Sequence, residues 1–371
     1  MIFRTALCDL IGIGYPIVQS GMGAIAGPEL VAEVCRAGGL GILAGLNVPP
    51  DQLRVMIRRV RALTDCPFGV NLWLHRALRP PIDPDAIGDE TLRGAQEMLN
   101  QFRQRLGIPA TARPGRAPDV VNGAVEVVLD ERPAVFSAAL GWLEPALVEK
   151  CRRRGIKVLA MVSNVEDARA AAADGADVIV AQGGEAGGHR SIDGKPASSE
   201  STTIGTMALL PQVVDAVNVP VVAAGGVADG RGLVAAIALG ASGVLLGTRF
   251  VATRESMAPE LYKKRLLESE SGATTLTDKL SGLWARALAN RFTREYAESG
   301  APVLPPLVQR AAADDVFLAA LKQGEADYYP MMAGQSVGLI RDLPGAGEVV
   351  TTVIREARAV LGALPQRIRQ I

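Results

Sequence analysis

The chain has 371 residues, of which 49% are apolar, and its 39 basic residues equal its 39 acidic ones in number. This balance argues against nucleic acid or an anionic membrane as the partner, so we expect a small-molecule ligand. Two uncharged stretches, residues 10–28 and 232–248, are interrupted by glycines, and neither is expected to span a membrane. The four cysteines form no CxxC pair and the start of the chain does not read as a signal peptide, which indicates reduced thiols in the cytoplasm.

Short apolar runs alternate with helical patterns along the chain, which is typical of parallel strands joined by helices. Pro28 begins one helix, which Gly38 ends, and Asp51 caps the next. Asn164 caps a later helix over residues 165–174. Eight strands are predicted, at residues 16–19, 41–44, 68–72, 134–138, 157–162, 177–181, 219–223 and 243–246. Eight such units predict an α/β fold, the (β/α)8 TIM barrel.

Two segments do not fit this repeat. Residues 76–132 form an insertion with predicted helices near 89–105 and 122–130. The region after residue 253 is predicted to be mostly helical, with a final helix near 348–361. We therefore expect a barrel in residues 1–253, carrying the insertion, and a helical cap with a closing C-terminal helix in residues 254–371.

The loops after the last two predicted strands have the features of a phosphate site, and TIM barrels bind phosphate there. After the seventh strand, the Gly225-Gly226 pair lets backbone N–H groups approach an anion, and Asp229 is placed to cap a helix whose positive end faces it. After the eighth, the Gly247-Thr248-Arg249 turn offers an N–H group, a hydroxyl and a cation. Either loop alone is as consistent with a tight turn, but the two together indicate a phosphate-bearing ligand.

The loop after the sixth predicted strand holds four glycines between Gln182 and His189. It does not open a helix, as a dinucleotide-binding loop does, so a flat ring system lying over its backbone fits better. His189 suits proton transfer or stabilisation of an anion, because histidine titrates near neutral pH. Asn71 can offer a donor and an acceptor to the edge of a heterocycle. His75 is expected to pack or face solvent, and with only these two histidines no metal site is expected.

Several segments together resemble the nitronate monooxygenase family, formerly called 2-nitropropane dioxygenases, over residues 3–361. They are QSGM (19–22), AGGLG (37–41), PFGVN (67–71), EAGGH (185–189), AGGVADGRG (224–232), GTRF (247–250) and MAGQS (332–336). The segment SGLWAR (281–286) is similar to a family segment, with Leu283 where arginine is common.

The resemblance implies an FMN cofactor without a metal, and it implies roles by position. His189 matches the family's catalytic histidine. The positions implied to contact the flavin ring or its ribityl chain are Gly21, Met22, Asn71, Gln182, Gly187 and Gly188. The positions implied to bind the phosphate are Gly225, Gly226, Gly247 and Thr248. Tyr328, Tyr329 and Gln335 are candidates for the substrate side, although packing between helices explains each of them equally well.

Family enzymes oxidise alkyl nitronates with O2 to carbonyl compounds and nitrite, so the resemblance implies a nitronate and O2 as partners. His189 would remove the α-proton of a neutral nitroalkane, or hold the negative charge of the nitronate. FMN-dependent reductases that use NAD(P)H, acting on enoyl-acyl carrier protein or quinones, share the same loops and are the alternative. Residues 280–305 resemble the monooxygenase branch more closely. A third hypothesis is a flavin-binding protein without turnover. For the oligomeric state, a homodimer is one expectation.

Overall fold

The computed structural model describes residues 3–74, 78–191 and 203–367, so His75 lies outside the described residues. Eight parallel strands close a barrel, and the last of them pairs with the first. The strands are β1 (Ile17–Gln19), β2 (Leu40–Ala44), β3 (Gly69–Trp73), β4 (Val135–Ala139), β5 (Lys157–Val162), β6 (Val178–Gln182), β8 (Val221–Ala224) and β9 (Gly243–Leu246). Each predicted strand agrees with an observed one to within two residues at either end, and the predicted TIM barrel is confirmed.

Helices surround the barrel and continue beyond it. They are α1 (Ala6–Ile11), α2 (Pro28–Arg36), α3 (Pro50–Leu63), α4 (Asp89–Arg105), α5 (Val121–Glu131), α6 (Pro145–Arg152), α7 (Val165–Ala173), α8 (Thr206–Ala216), α9 (Gly230–Ala238), α10 (Thr248–Val251), α11 (Glu260–Leu267), α12 (Arg291–Glu298), α13 (Val308–Gln323) and α14 (Ala346–Arg367). The predicted cap of α7 is confirmed, since the Asn164 side chain accepts the N–H of Asp167 at 2.7 Å. The predicted cap of α3 is wrong: the helix begins at Pro50, whose fixed φ suits a first turn, and Asp51 lies inside that turn.

The barrel strands are buried on both faces, which explains why their sequences are continuous apolar runs. Alternate strand residues such as Val18 and Val180 form one cluster with Leu7 and Ile11 of α1. Leu7 lies next to Gly243, the first residue of β9. Helix α1 therefore closes the N-terminal end of the barrel and leaves the opposite end, where the strand-end loops lie, for a ligand.

A small antiparallel sheet that was not predicted joins the barrel to the C-terminal region. It pairs β10 (Thr274–Thr277) with β11 (Ala285–Leu288), and β11 with the two-residue strand β7 (Gly188–His189). The expectation of a mostly helical C-terminal region is confirmed, with these two strands added. Because β7 pairs with a strand nearly a hundred residues later, the glycine loop after β6 is held by the C-terminal region.

The insertion and the C-terminal region share a second hydrophobic core. Phe102 of α4 packs against Phe292 of α12, and Phe292 packs against Phe317 of α13. The guanidinium of Arg103, which is 1% exposed, bonds to Asp315 at 2.8 Å across the same boundary. Helix α4 of the insertion thus packs with the cap, whereas α5 packs on α3 and β3 of the barrel.

Helix α14 packs against α2 and α9, so the chain closes on the barrel wall after completing the cap. It is longer at both ends than the predicted range of 348–361, since it begins at Ala346 and ends at Arg367. Among the helices of the described ranges, none has the length and hydropathy that crossing a bilayer requires.

Candidate active site

His189 lies between the barrel and the cap. Its backbone pairs with Ala285 of β11, and the next residue, Arg190, donates its N–H to the carbonyl of Trp284 at 2.8 Å. The Nε2 atom of His189 lies 2.7 Å from the hydroxyl of Ser281. On the other side, the ring meets the edge of Trp73, with 4.6 Å between ring centroids. The imidazole is therefore fixed in orientation by one contact from β3 and one from the cap.

The surroundings of His189 favour its neutral form. Burial of the ring, together with the charges of Arg190 and Arg310, lowers the pKa of His189 to about 3. The residue as a whole keeps partial exposure at the cleft. His189 is neutral at physiological pH, and Nδ1 has no hydrogen-bond partner among the described residues.

Arg190 lies beneath the glycine loop and organises it. Its guanidinium, 1% exposed, donates to the carbonyl oxygens of Gly183 at 2.9 Å, Ala186 at 2.6 Å and Gly188 at 3.3 Å. These bonds gather the loop around one cation. This burial could not be predicted, because arginines on loops are usually exposed.

Gln182, at the end of β6, anchors both ends of the same loop. Its Nε2 donates to the carbonyl of His189 at 2.9 Å, and its Oε1 accepts from the Ser163 hydroxyl and the Ser191 N–H, each at 2.8 Å. These contacts lie within the protein and set the position of His189. Gln182 therefore supports the loop, and its predicted contact with a cofactor would be an additional role.

The cap packs on the glycine loop through two facing glycines. A side chain at Gly187 would place its Cβ 2.5 Å from the nitrogen of Gly334, and one at Gly334 would lie 2.8 Å from the nitrogen of Gly187. Gln335 donates its N–H to the carbonyl of Glu185, and Gly334 donates to the Thr248 hydroxyl, both at 2.9 Å. This one segment links the glycine loop to the turn after β9.

The two predicted phosphate loops lie on neighbouring strands, β8 and β9. Gly226 has a φ of +74°, a conformation that favours glycine, and a Cβ there would meet the Glu185 side chain at 3.8 Å. A Cβ at Gly247 would meet the Met22 sulfur at the same distance. The backbone N–H groups of Gly226, Gly247 and Thr248 make no hydrogen bond to other described residues. These groups form a cradle of donors, which suits a phosphate.

The predicted Asp229 cap of α9 is confirmed, and the first N–H of that helix, on Gly230, donates to the Glu356 carboxylate of α14 at 3.0 Å. The start of α9 therefore already carries two carboxylates. The expected contribution of Arg249 to the phosphate site is wrong, because its guanidinium bonds to Asp342 at 2.7 Å and to the carbonyl of Ala252.

The remaining predicted contacts meet at the ends of β1 and β3. Gly21 packs directly on the side chain of Asn71, so that any side chain at Gly21 would overlap it. Asn71 in turn donates to the hydroxyl of Ser137 at 3.0 Å. With Met22 beside Gly247, the residues predicted to contact a flavin ring are brought to one end of the barrel.

The three substrate-side candidates are not equivalent in the structure. Tyr328 is buried in the cap core against Phe102, a contact that accounts for it without a substrate. Tyr329 is half-buried, and burial raises its pKa while the charge of Arg310 lowers it. Gln335 is exposed and meets the glycine loop through its backbone.

Three further residues of the site were not predicted: Trp73, Arg190 and Ser281. Ser281 is the first residue of the SGLWAR segment, which is similar to a family segment, so its position in that motif could have indicated a role in the site. Trp73 lies two residues after the end of the PFGVN segment and is the last residue of β3. Barrel enzymes carry their functional side chains at such strand ends.

Comparisons with known proteins agree with this geometry. The family model described as nitronate monooxygenase matches residues 4–356. A nitronate monooxygenase of Pseudomonas aeruginosa is 38% identical over 94% of this chain and 98% of its own. The crystal structure of a nitroalkane oxidase from Streptomyces ansochromogenes superposes with a TM-score of 0.87 at 35% identity, covering 97% of this chain and 100% of that one. FabK from Thermotoga maritima superposes with a TM-score of 0.75 at 30% identity, covering 98% and 99%. The chain belongs to the nitronate monooxygenase family of flavin-dependent oxidoreductases.

Proposed function

We propose that this protein binds FMN and oxidises alkyl nitronates with O2, releasing a carbonyl compound and nitrite. The observation that carries the proposal is the position of His189. It is a neutral imidazole, fixed by Ser281 and Trp73, at the end of a glycine loop that borders open space at Gly188.

The described residues fit FMN. The free N–H groups of Gly226, Gly247 and Thr248 would hold the phosphate, and the glycine loop with Gly21 and Met22 would hold the ring. The end of α9 is closed by carboxylates, so one phosphate cradle is available, which supports FMN over a dinucleotide such as FAD. When bound, FMN would be the electron acceptor that nitronate oxidation requires, with O2 as the final acceptor.

His189 is proposed to bind the substrate as a neutral group. A nitronate is already an anion, and a neutral ring N–H can donate a hydrogen bond to its oxygen. Removing a proton from a neutral nitroalkane is the harder task, because a general base works best with a pKa near the working pH. The lowered pKa of His189 therefore favours the nitronate as the substrate over its neutral parent.

The reductase alternative is weaker. A nicotinamide donor needs cations for its pyrophosphate, and Arg190 and Arg249 are the cations at the glycine loop and at the turn after β9. Arg190 is committed to loop carbonyls, and Arg249 to Asp342. FabK, which represents this alternative, is also less similar to the chain than the nitroalkane oxidase.

A stopped-flow experiment tests the proposal. The purified protein, loaded with FMN, is mixed without O2 with propionate 3-nitronate or with NADH, and bleaching of the visible flavin band is followed. We expect fast bleaching by the nitronate, slow or no bleaching by NADH, and nitrite once O2 is admitted. Fast bleaching by NADH, with no nitrite from any nitronate, would establish the reductase instead.

Location and assembly are also part of the proposal. Cys8, Cys35 and Cys151 are buried free thiols and Cys66 is an exposed one, which fits a reducing cytoplasm. Sedimentation of the loaded protein would distinguish a homodimer from a monomer.

A further inference from the structure

Among the residues that the structure describes, three arginines are buried, and one of them differs from the other two. Arg103 bonds to the carboxylate of Asp315 at 2.8 Å, and Arg249 to that of Asp342 at 2.7 Å. Arg190 has only neutral carbonyl oxygens as acceptors, and no carboxylate within ion-pair distance among the described residues. Its positive charge is therefore buried without a fixed counter-charge.

The nearby charges do not cancel it. Glu185 acts on Arg190 from a distance, but its carboxylate is taken up by the backbone N–H and hydroxyl of Thr206, both at 2.9 Å. Arg286, whose guanidinium donates to the carbonyl of Gly184, adds a second positive charge on the same side. Burial lowers the pKa of Arg190 to about 9, so the group still carries its proton at neutral pH.

An unpaired buried charge is costly, and such charges are kept where a ligand or a reaction uses them. Arg190 is the chain neighbour of His189 and bonds to the carbonyl of Gly188, the glycine that borders open space. Its charge is also one of the causes that lower the pKa of His189, so its field reaches the imidazole. The charge thus lies directly behind the loop that faces the reacting centre.

We infer that Arg190 is a positioning residue that stabilises negative charge at the reacting centre, on the nitronate and on the flavin as it accepts electrons. It acts through space and through the loop carbonyls that it holds, without touching the substrate. The inference rests on the proposed function for the identity of the flavin.

Sulfite is a probe that reports such a charge without turnover. It adds its sulfur lone pair to N5 of the oxidised flavin and leaves a negative charge on the ring, so a nearby cation strengthens its binding. Three variants, all saturated with FMN, are compared with the wild type. Arg190→Met removes the charge, Arg190→Lys keeps it with fewer hydrogen bonds, and Arg249→Met removes a buried arginine whose charge Asp342 already neutralises.

We expect Arg190→Met to weaken sulfite binding by about tenfold, equivalent to lowering the two-electron midpoint potential of the flavin by about 30 mV. Arg190→Lys should bind sulfite nearly as the wild type does, although its loop is less well held. Arg249→Met should leave sulfite affinity unchanged. A structural role alone would instead make Arg190→Lys and Arg190→Met equally poor.

Two results would overturn the inference. One is an Arg190→Met variant that binds FMN more weakly yet has the wild-type sulfite affinity and potential, since the charge would then serve the phosphate. The other is measured on the wild type and applies even if Arg190→Met does not fold. If the wild-type protein binds sulfite no more tightly than free FMN does, no buried cation acts on the ring. If the wild type binds sulfite tightly but does not oxidise nitronates, the proposed function falls, and the inference stands for the charge on the flavin alone.

Discussion

The contact between Gly187 and Gly334 allows a quantitative test of how the cap completes the cofactor site. Replacing Gly187 by alanine would put a Cβ 2.5 Å from the nitrogen of Gly334 and 2.6 Å from the carbonyl carbon of Ala333. Both distances are far shorter than carbon and nitrogen atoms tolerate, and the obstruction is backbone that no side-chain rotation relieves. The cap segment must therefore move away from the loop by nearly an ångström.

The cost follows from what that movement disturbs. Overpacking of this kind typically costs about 1–3 kcal/mol. The movement also strains the hydrogen bonds from Gln335 to Glu185 and from Gly334 to Thr248, each typically worth about 1 kcal/mol. A loss of about 2 kcal/mol in the arrangement that binds FMN corresponds to about a 30-fold weaker affinity.

Titration of the apoprotein with FMN, followed by quenching of FMN fluorescence, measures this change. Gly334→Ala should show a similar loss, because it opens the same contact from the other side. Gly115→Ala is the matched control, since Gly115 is exposed, has no atom near the position of a Cβ, and should bind FMN normally. If Gly187→Ala and Gly115→Ala bind FMN equally well, the cap does not support the cofactor site in the way described.

Three further predictions concern His189 and α9. His189→Ala should retain FMN but lower kcat/KM for nitronates by about tenfold or more in steady-state assays, through loss of the hydrogen bond to the anion; a wild-type protein that turns over neutral nitroalkanes as fast as nitronates, and loses only that reaction in His189→Ala, would show instead that His189 removes a proton. Because the pKa of His189 is lowered to about 3, kcat/KM for a nitronate should show no acid limb near pH 6.5; a limb there that disappears in His189→Asn would contradict the neutral site. Asp229→Ala should lower the free energy of unfolding by about 1 kcal/mol, in denaturant melts, through loss of the α9 cap. Its FMN affinity should stay normal, and a large drop would return α9 to the phosphate site.

The barrel could be predicted from sequence because its signals are local. Parallel strands buried on both faces leave continuous apolar runs, and glycine pairs such as Gly225-Gly226 directly follow them. The position of His189 at the end of a glycine loop was visible for the same reason.

What could not be predicted depends on partners far along the chain. Strands β10 and β11 have four residues each, and β11 is paired with β7 across nearly a hundred residues. Arg190 and Arg249 both follow the ends of predicted strands, and the sequence does not distinguish them. Only the fold shows that Arg249 has a carboxylate partner whereas Arg190 has none among the described residues.

The shared core of the cap has a consequence for engineering. One way to change the substrate preference of such an enzyme is to exchange its cap for that of a relative. Here the cap cannot be moved as one contiguous stretch, because α4 precedes β4 whereas α12 and α13 follow the last barrel strand. A chimera that transplants only the C-terminal part would set foreign side chains against Phe102 and leave Arg103 without Asp315. Both segments must be exchanged together, with the barrel between them left in place.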